Sequence, residues 1–570
     1  MVSTQTSEGH GRRAALTAVV LVGLLSLGAA PSAEAAKPTG RYLVTFEKGA
    51  TARSSAALPA VIARTGVRRA GRGVPALSIA TVRGGPGALA RLRRDRSVRS
   101  VSVEWERDLR RVPNDPALST PETRDTDGVP PGTPIQWALA REGFPSAWDV
   151  TTGQGAIVGA VDSGVDGSIA DMSGKIASAD AVGTSAPTSD SDGHGTHTAG
   201  LACAGTDNGA GIAGAGWGCR LAVVKLGQGS SGGISDQDII EGIRIAVDRG
   251  AQAINLSFGG GAPSSALGQV IDYAAGKGVV LVAAASNNPD VDQGAPASLL
   301  QPGNAPDLSA GRGLVVTAAD FSDRRAGTGL GSQISVAAYG FFDDGRLGPP
   351  GLISTFPASG ASREGAPPLF LGGCVCRRAI GSDDDYGYLA GTSIATPQVT
   401  GLAALVSALN PFLSLRDKLT LIKQRSRGRG AWEPELGWGI IDAGRTVDAA
   451  RRLDRVAPAS RARAKRRVRA ARGARRAKVR VRWSASDPAG RPALIPSGVR
   501  DADLYMRKGR GKYRRVKRST RKRSALLRLK PGVYRLYTRA RDKGGNREAK
   551  PRKADVRLVV RGAKKPRQGR

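Results

Sequence analysis

The amino-acid sequence predicts an α/β domain built on a mostly parallel sheet, and two apolar runs with two helix starts carry that prediction. Ala156-Ile157-Val158-Gly159-Ala160-Val161 is continuously apolar, as strands covered on both faces are, and it stops abruptly at Asp162-Ser163-Gly164. Gly278 to Ala285 repeats the pattern and stops at Ser286-Asn287. Helices rich in small residues are predicted to begin at His194 and just after Gly391, with Pro397 in the first turn of the second, where a missing N–H is tolerated. The C-terminal ends of such strands are where open α/β sheets build their sites.

The 570 residues exceed one ordinary domain, and the net charge of +37 is unevenly spread. Lys and Arg outnumber Asp and Glu 17 to 5 over residues 37–111, are outnumbered 25 to 35 over 112–455, and lead 41 to 6 over 456–570. The extreme basicity therefore describes the ends of the chain. Residues 1–36 read as an export signal: Arg12 and Arg13, an apolar run from Ala14 to about Ala30, then Ala33-Glu34-Ala35-Ala36 with cleavage expected near Ala35. No later segment is expected to be long and apolar enough to cross a bilayer, which predicts a secreted protein, extracellular or associated with the cell envelope.

Residues 37–111 carry three strand-like segments, Arg41–Phe46, Leu77–Val82 and Val98–Glu104, which read as a small α+β unit. Residues 456–478 read as a basic linker, disordered or weakly helical, because alanine is almost the only apolar residue among the arginines. Val479–Asp487 and Gly532–Asp542 alternate at the period of strands, so 479–570 is expected to be a basic β-sandwich-like domain. Arginine and lysine on its outward face would suit polyanions or the cell envelope. Cys203, Cys219, Cys374 and Cys376 point to disulfides in an exported chain, with three pairings open and free thiols at the Cys-x-Cys pair an alternative.

Only three histidines occur, and His10 lies in the export signal, so a general base near neutral pH must be His194 or His197. His194 stands at a loop-to-helix junction, Asp162 at a strand end and Ser393 where a Gly-rich turn meets a helix. Asp162-Ser163-Gly164, His194-Gly195-Thr196-His197 and Gly391-Thr392-Ser393-Ile394-Ala395-Thr396-Pro397 together resemble the three active-site blocks of the subtilisin-like serine proteases, in that family's order. The similarity spans about residues 112–455. It implies a three-layer subtilisin-like fold with a mostly parallel central sheet, preceded by an inhibitory propeptide at 37–111.

Carried over residue by residue, the resemblance makes Ser393 the nucleophile, His194 the base and then the acid, Asp162 the group that orients the imidazole, and His197 structural. Asp192 then reads as a solvated loop charge. Asn287 would be the side-chain donor of the oxyanion hole, joined by the Ser393 amide, although Ser286 replaces the family's usual glycine. Ser257, Phe258 and Gly259 resemble one wall of the primary specificity pocket and Ala283, Ala284 and Ala285 the other, implying a hydrophobic or aromatic P1 residue. Gly229 and Ser230 resemble the edge segment that pairs with substrate as an added strand. Asp115, Asp171 and Asn208 resemble one dispersed structural calcium site, while no cofactor is required for the chemistry itself. Ile394, Gln398 and Ala337-Ala338-Tyr339-Gly340 depart from the family at supporting positions.

Two function classes follow. The first is a monomeric secreted endopeptidase acting on polypeptides and self-processed near Arg110, Arg111 or Val112, with its propeptide as inhibitor. The second is a catalytically silent protease-like protein that binds polyanions. An intact triad and a propeptide favour the first, since a retired enzyme has no use for an inhibitor.

Overall fold

The computed structural model describes residues 37–563 apart from 48–53, 72, 75–76, 107–111, 124–125, 229–232, 344–346, 359–360, 365–376, 429 and 489–493. The export signal, Arg110, Arg111, Gly229, Ser230, Cys374 and Cys376 lie outside the described residues. Two compact units divide the chain, Met1–Leu109 and Arg110–Arg570.

The first unit is a four-stranded antiparallel sheet of β1 (Lys37–Phe46), β2 (Arg68–Arg69), β3 (Ile79–Arg83) and β4 (Val98–Glu106), in the order β2-β3-β1-β4. Helices Ser54–Thr65 and Pro86–Arg93 accompany it. Val44, Phe46, Val61, Val82 and Leu92 form its core. All three strands expected from the sequence are present.

The second unit centres on seven parallel strands: β5 (Ile157–Asp162), β6 (Ile176–Val182), β7 (Arg220–Leu226), β8 (Ala253–Leu256), β9 (Val280–Ala284), β10 (Gly313–Ala319) and β11 (Val336–Tyr339). Their order is β11-β10-β9-β8-β5-β7-β6. The alternation of strand side chains sorts them into two layers. Val280 and Val282 join Ala395, Val399 and Leu402 of the helix Thr392–Leu409, whereas Leu281 and Ala283 join Ile243 and Ile271 of the helices Asp236–Asp248 and Ser265–Gly276 on the opposite face. The order reverses at β5, between β8 and β7, so the carboxyl ends of β5, β8 and β9 surround the switch-point crevice where such sheets bind ligands.

Thr392–Leu409 is long and apolar enough to span a bilayer, contrary to the sequence expectation, but 89% of it is buried as the central helix of this unit. Cys203 and Cys219 are joined in a disulfide. A two-stranded antiparallel sheet of β12 (Leu352–Thr355) and β13 (Tyr386–Leu389) backs the helix His194–Cys203.

Beyond helix Ala443–Arg452 the chain forms a β-sandwich. One sheet is β14 (Ala459–Arg463), β16 (Ala477–Ser486) and β19 (Ser524–Leu529), in the order β14-β16-β19. The other contains β15 (Arg467–Arg469), β17 (Val499–Lys508), β18 (Arg514–Thr520), β20 (Gly532–Asp542) and β21 (Val556–Arg561), in the order β15-β21-β20-β17-β18. The expected linker is therefore wrong: β14, β15 and the start of β16 fall within 456–478. Ala462, Ala470 and Ala477 are buried in the sandwich core, so alanines alternating with arginines serve as the inward face of short strands.

Candidate active site

Asp162 closes β5, and its side chain is 6% exposed. His194 opens the helix His194–Cys203 directly after Gly193, whose left-handed φ of +96° suits glycine. His194 Nδ1 lies 2.8 Å from Asp162 Oδ1, while the other Asp162 oxygen accepts from Thr198 Oγ1 at 3.3 Å. Burial pushes the Asp162 carboxyl up, but the charge and hydrogen bond of His194 and the Ser163 amide outweigh it and hold the group below the ordinary carboxylate range. Asp162 is thus an anion that fixes Nδ1–H on the histidine and leaves Nε2 to work as a base.

The turn and the helix touch closely. A Cβ on Gly195 would sit 2.1 Å from the Gly164 carbonyl oxygen, so only glycine permits this approach. Asp190, which sequence reasoning passed over, binds the two segments together. One of its oxygens accepts from Ser163 Oγ at 2.9 Å and from the Asp192 and Gly193 amides, and the other accepts from the amide and hydroxyl of Thr196. An aspartate just upstream of a helix start is a capping signal, but its link to Ser163 exists only in the fold.

Ser393 stands in the first turn of Thr392–Leu409. Pro397 lies inside this helix, beyond the first turn where the sequence placed it. Its missing N–H leaves the Ser393 carbonyl without a helical donor, and Ser257 Oγ donates to that oxygen at 2.8 Å. Ser393 Oγ in turn donates to the Ser257 carbonyl at 2.9 Å. A hydroxyl has one proton, so in this rotamer Ser393 points its hydrogen at Ser257.

Asn287 follows β9, and its Oδ1 accepts from the Thr392 amide at 2.8 Å, while the one proton of the Thr392 hydroxyl is shared between that oxygen at 2.8 Å and the Ala285 carbonyl at 2.7 Å. With the carboxamide oxygen so held, the amide nitrogen is the end left to donate. The Ser393 amide belongs to a helix first turn, where N–H groups have no intrahelical acceptor.

Asp162, His194, Asn287 and Ser393 line one cleft of about 620 Å³. Ser257, Phe258, Gly259, Ala284 and Ala285 line it as expected, joined by Gln228. Ala283 does not: it lies inside β9, short of the strand's end, and is fully buried against the layer of Ile243 and Ile271. The cleft is also less apolar than Phe258 suggested, because the exposed carboxylates Asp290 and Asp292 and the Arg363 guanidinium line it too. Asp192 is not a solvated loop charge, since it accepts from Arg363 Nε at 2.6 Å and from the His194 amide at 3.1 Å.

His197 is fully buried beneath the helix, and its Nε2–H is shared between the Leu352 and Gly387 carbonyls, each at 3.1 Å. Burial, helped by the nearby His194 charge, pushes its pKa down to about 3, so it stays neutral and structural.

Of the expected calcium ligands, Asp115 and Asp171 are buried and Asn208 adjoins Asp171, its Nδ2 2.8 Å from Oδ1. Asp115 accepts from the Asp207 amide at 2.9 Å. Burial and the charge of Asp171 raise Asp115 to about 6, and burial also raises Asp171. The two desolvated carboxylates have no ion pair among the described residues and are of the oxygen type a hard cation takes, while Asn208 turns its amide nitrogen toward Asp171 and its oxygen accepts from the Ala210 amide.

The sequence profile of the subtilase family (Peptidase_S8) matches residues 153–439. Thermitase of Thermoactinomyces vulgaris is 33% identical over 266 residues, which cover 46% of this chain and 79% of thermitase. A thermophilic serine proteinase of Bacillus sp. (strain AK1) is 34% identical over 266 residues, covering 46% and 55%, and an alkaline protease of Alkalihalobacillus alcalophilus is 30% identical over 316 residues, covering 55% and 70%. With the parallel sheet, the crevice at its switch point and the cleft between β5, β8 and β9, these matches establish that the chain belongs to the subtilase family and is a subtilisin-like serine endopeptidase.

Proposed function

We propose that the chain is a secreted endopeptidase, made as a self-processed zymogen, that hydrolyses peptide bonds through Asp162, His194 and Ser393. The observation that carries this reading is the 2.8 Å contact of His194 Nδ1 with Asp162 in a cleft that Ser393 shares. Ser393 Oγ attacks the scissile carbonyl carbon while His194 Nε2 takes its proton. The carbonyl oxygen becomes an oxyanion that receives Asn287 Nδ2–H and the Ser393 N–H. On collapse the C–N bond breaks, His194 returns the proton to the leaving amine, and the acyl group stays on Ser393. Water then attacks the ester by the same proton path and releases the acid.

Asp290 and Asp292 give the cleft acidic groups that suit a cationic substrate side chain, and Arg110-Arg111 at the expected processing junction agrees with such a preference. Residues 37–111 act as the inhibitory propeptide, and their excess of positive charge against the acidic 112–455 favours the encounter. Asp115, Asp171 and Asn208 would hold a structural calcium that supplies charge neutralisation between loops and takes no part in bond cleavage.

The test follows the purified chain by mass spectrometry while peptide hydrolysis is assayed. Wild type is expected to shorten to a species beginning near Val112 as activity appears, and Ser393→Ala to do neither. Trimming of the Ser393→Ala chain at the wild-type rate would refute self-processing.

A further inference from the structure

We propose that the outward face of the β14-β16-β19 sheet binds a nucleic-acid strand through its phosphates, without reading bases. The alternation of these strands sends Arg461, Arg463, Lys478, Arg480, Arg482 and Arg528 to the outside, and all six are exposed. Register sets Arg463 opposite Arg482 and Lys478 opposite Arg528. Like charges in facing positions destabilise a sheet, so this face is costly to the domain on its own. None of the three strands contains an aspartate or glutamate, and none of the six cations forms an ion pair among the described residues.

The other sheet is different. There Asp501 and Asp503 pair with Arg500, Arg515, Arg541 and Arg547. The uncompensated charge continues from β14 into a cleft of about 690 Å³ lined by Arg466, Arg467 and Arg557. Asp555, the cleft's acid, already accepts from the Ala462 and Thr538 amides.

Along β16 the cations recur every second residue, at about 6.8 Å, on strands about 4.8 Å apart. A rigid row of fixed pitch suits a polymer whose charges also recur at fixed pitch. Trp483 points into the sandwich core, and this face carries no outward aromatic ring on which a base could stack. Leu526 is its only large exposed apolar side chain, too little to insert into a membrane.

The full chain carrying Ser393→Ala, to stop self-digestion, is titrated by fluorescence anisotropy with a 20-nucleotide single-stranded DNA and with an abasic strand of equal length. Six phosphate contacts predict a log–log salt slope of about −4 for both probes. The triple variant Lys478→Gln, Arg480→Gln, Arg482→Gln should bring the slope to about −2 and weaken binding at least roughly tenfold at low salt. Removing equal charge elsewhere in the domain, by Arg514→Gln, Lys517→Gln and Arg518→Gln, should leave the slope unchanged. Unaltered peptide hydrolysis by both triples in the Ser393 background certifies folding. Equal losses in the two triples, binding that needs bases, or preference for phosphatidylglycerol vesicles or poly(glycerol phosphate) over DNA would overturn the proposal.

Discussion

Ser393 and Ser257 hold each other by reciprocal hydrogen bonds, and a proline makes this possible. Pro397 frees the Ser393 carbonyl, Ser257 Oγ satisfies it, and the Ser393 hydroxyl rests against the Ser257 carbonyl. Thr392 performs the matching task for the proposed oxyanion hole by holding the Asn287 oxygen. Replacing Asn287 by Ala should lower kcat by about 10²–10³ with little change in KM, the size seen when a subtilisin loses its oxyanion asparagine. Thr392→Val keeps shape but removes the hydroxyl donor, and should cost about 1.4 kcal/mol, or tenfold in kcat, with Thr392→Ser restoring most of it. Steady-state kinetics on a peptide substrate checks both variants, and an equal loss for Thr392→Ser would assign the effect to packing.

At the scale of elements, His197 ties the helix that presents His194 to β12 and β13. Its folded pKa of about 3 lies below the unfolded value of about 6.5, so the unfolded chain binds the extra proton between those pH values. Stability from this group is therefore complete above about pH 6.5 and is lost as pH falls toward 3. His197→Gln retains a donor but does not titrate, and its melting temperature should fall less steeply than wild type between pH 6.5 and 4; parallel curves would remove His197 from acid unfolding.

The elements that position the triad were legible because buried parallel strands and small-residue helix starts leave continuous signals at Ala156–Val161, Gly278–Ala285 and Gly391–Pro397. Asp190 was missed because its partners lie in two segments, and Ala283 was misplaced because it lies inside β9, deeper than Ala284 and Ala285 at the strand's end. The short strands at 459–469 were hidden since Ala462 is buried by its neighbours rather than by its own size. Asp290 and Asp292 belong to a loop with no periodic pattern, so only folding brings them to the cleft.

Across the whole molecule, the β-sandwich and the catalytic portion share structure. Leu494, beyond β16, is buried in the same core cluster as Leu402 and Val447, and the Ile495 amide donates to the Arg451 carbonyl at 2.9 Å. Asp454 accepts from the amide and hydroxyl of Ser497, and Asn546 donates to its carbonyl. Leu494→Ala should therefore cost about 2–5 kcal/mol and lower the temperature at which peptidase activity is lost, although 101 positions separate it from Ser393. Activity loss at the wild-type temperature would show that the sandwich lends the enzyme nothing.

The proposed function stands on Ser393 being a nucleophile activated by His194 on Asp162. It is tested most directly by labelling the mature protein with a fluorophosphonate and mapping the modified peptide. A single adduct on Ser393 is expected, absent from Ser393→Ala and slowed by several orders of magnitude in His194→Ala. An unlabelled, correctly processed protein, or an adduct on another residue, would contradict it.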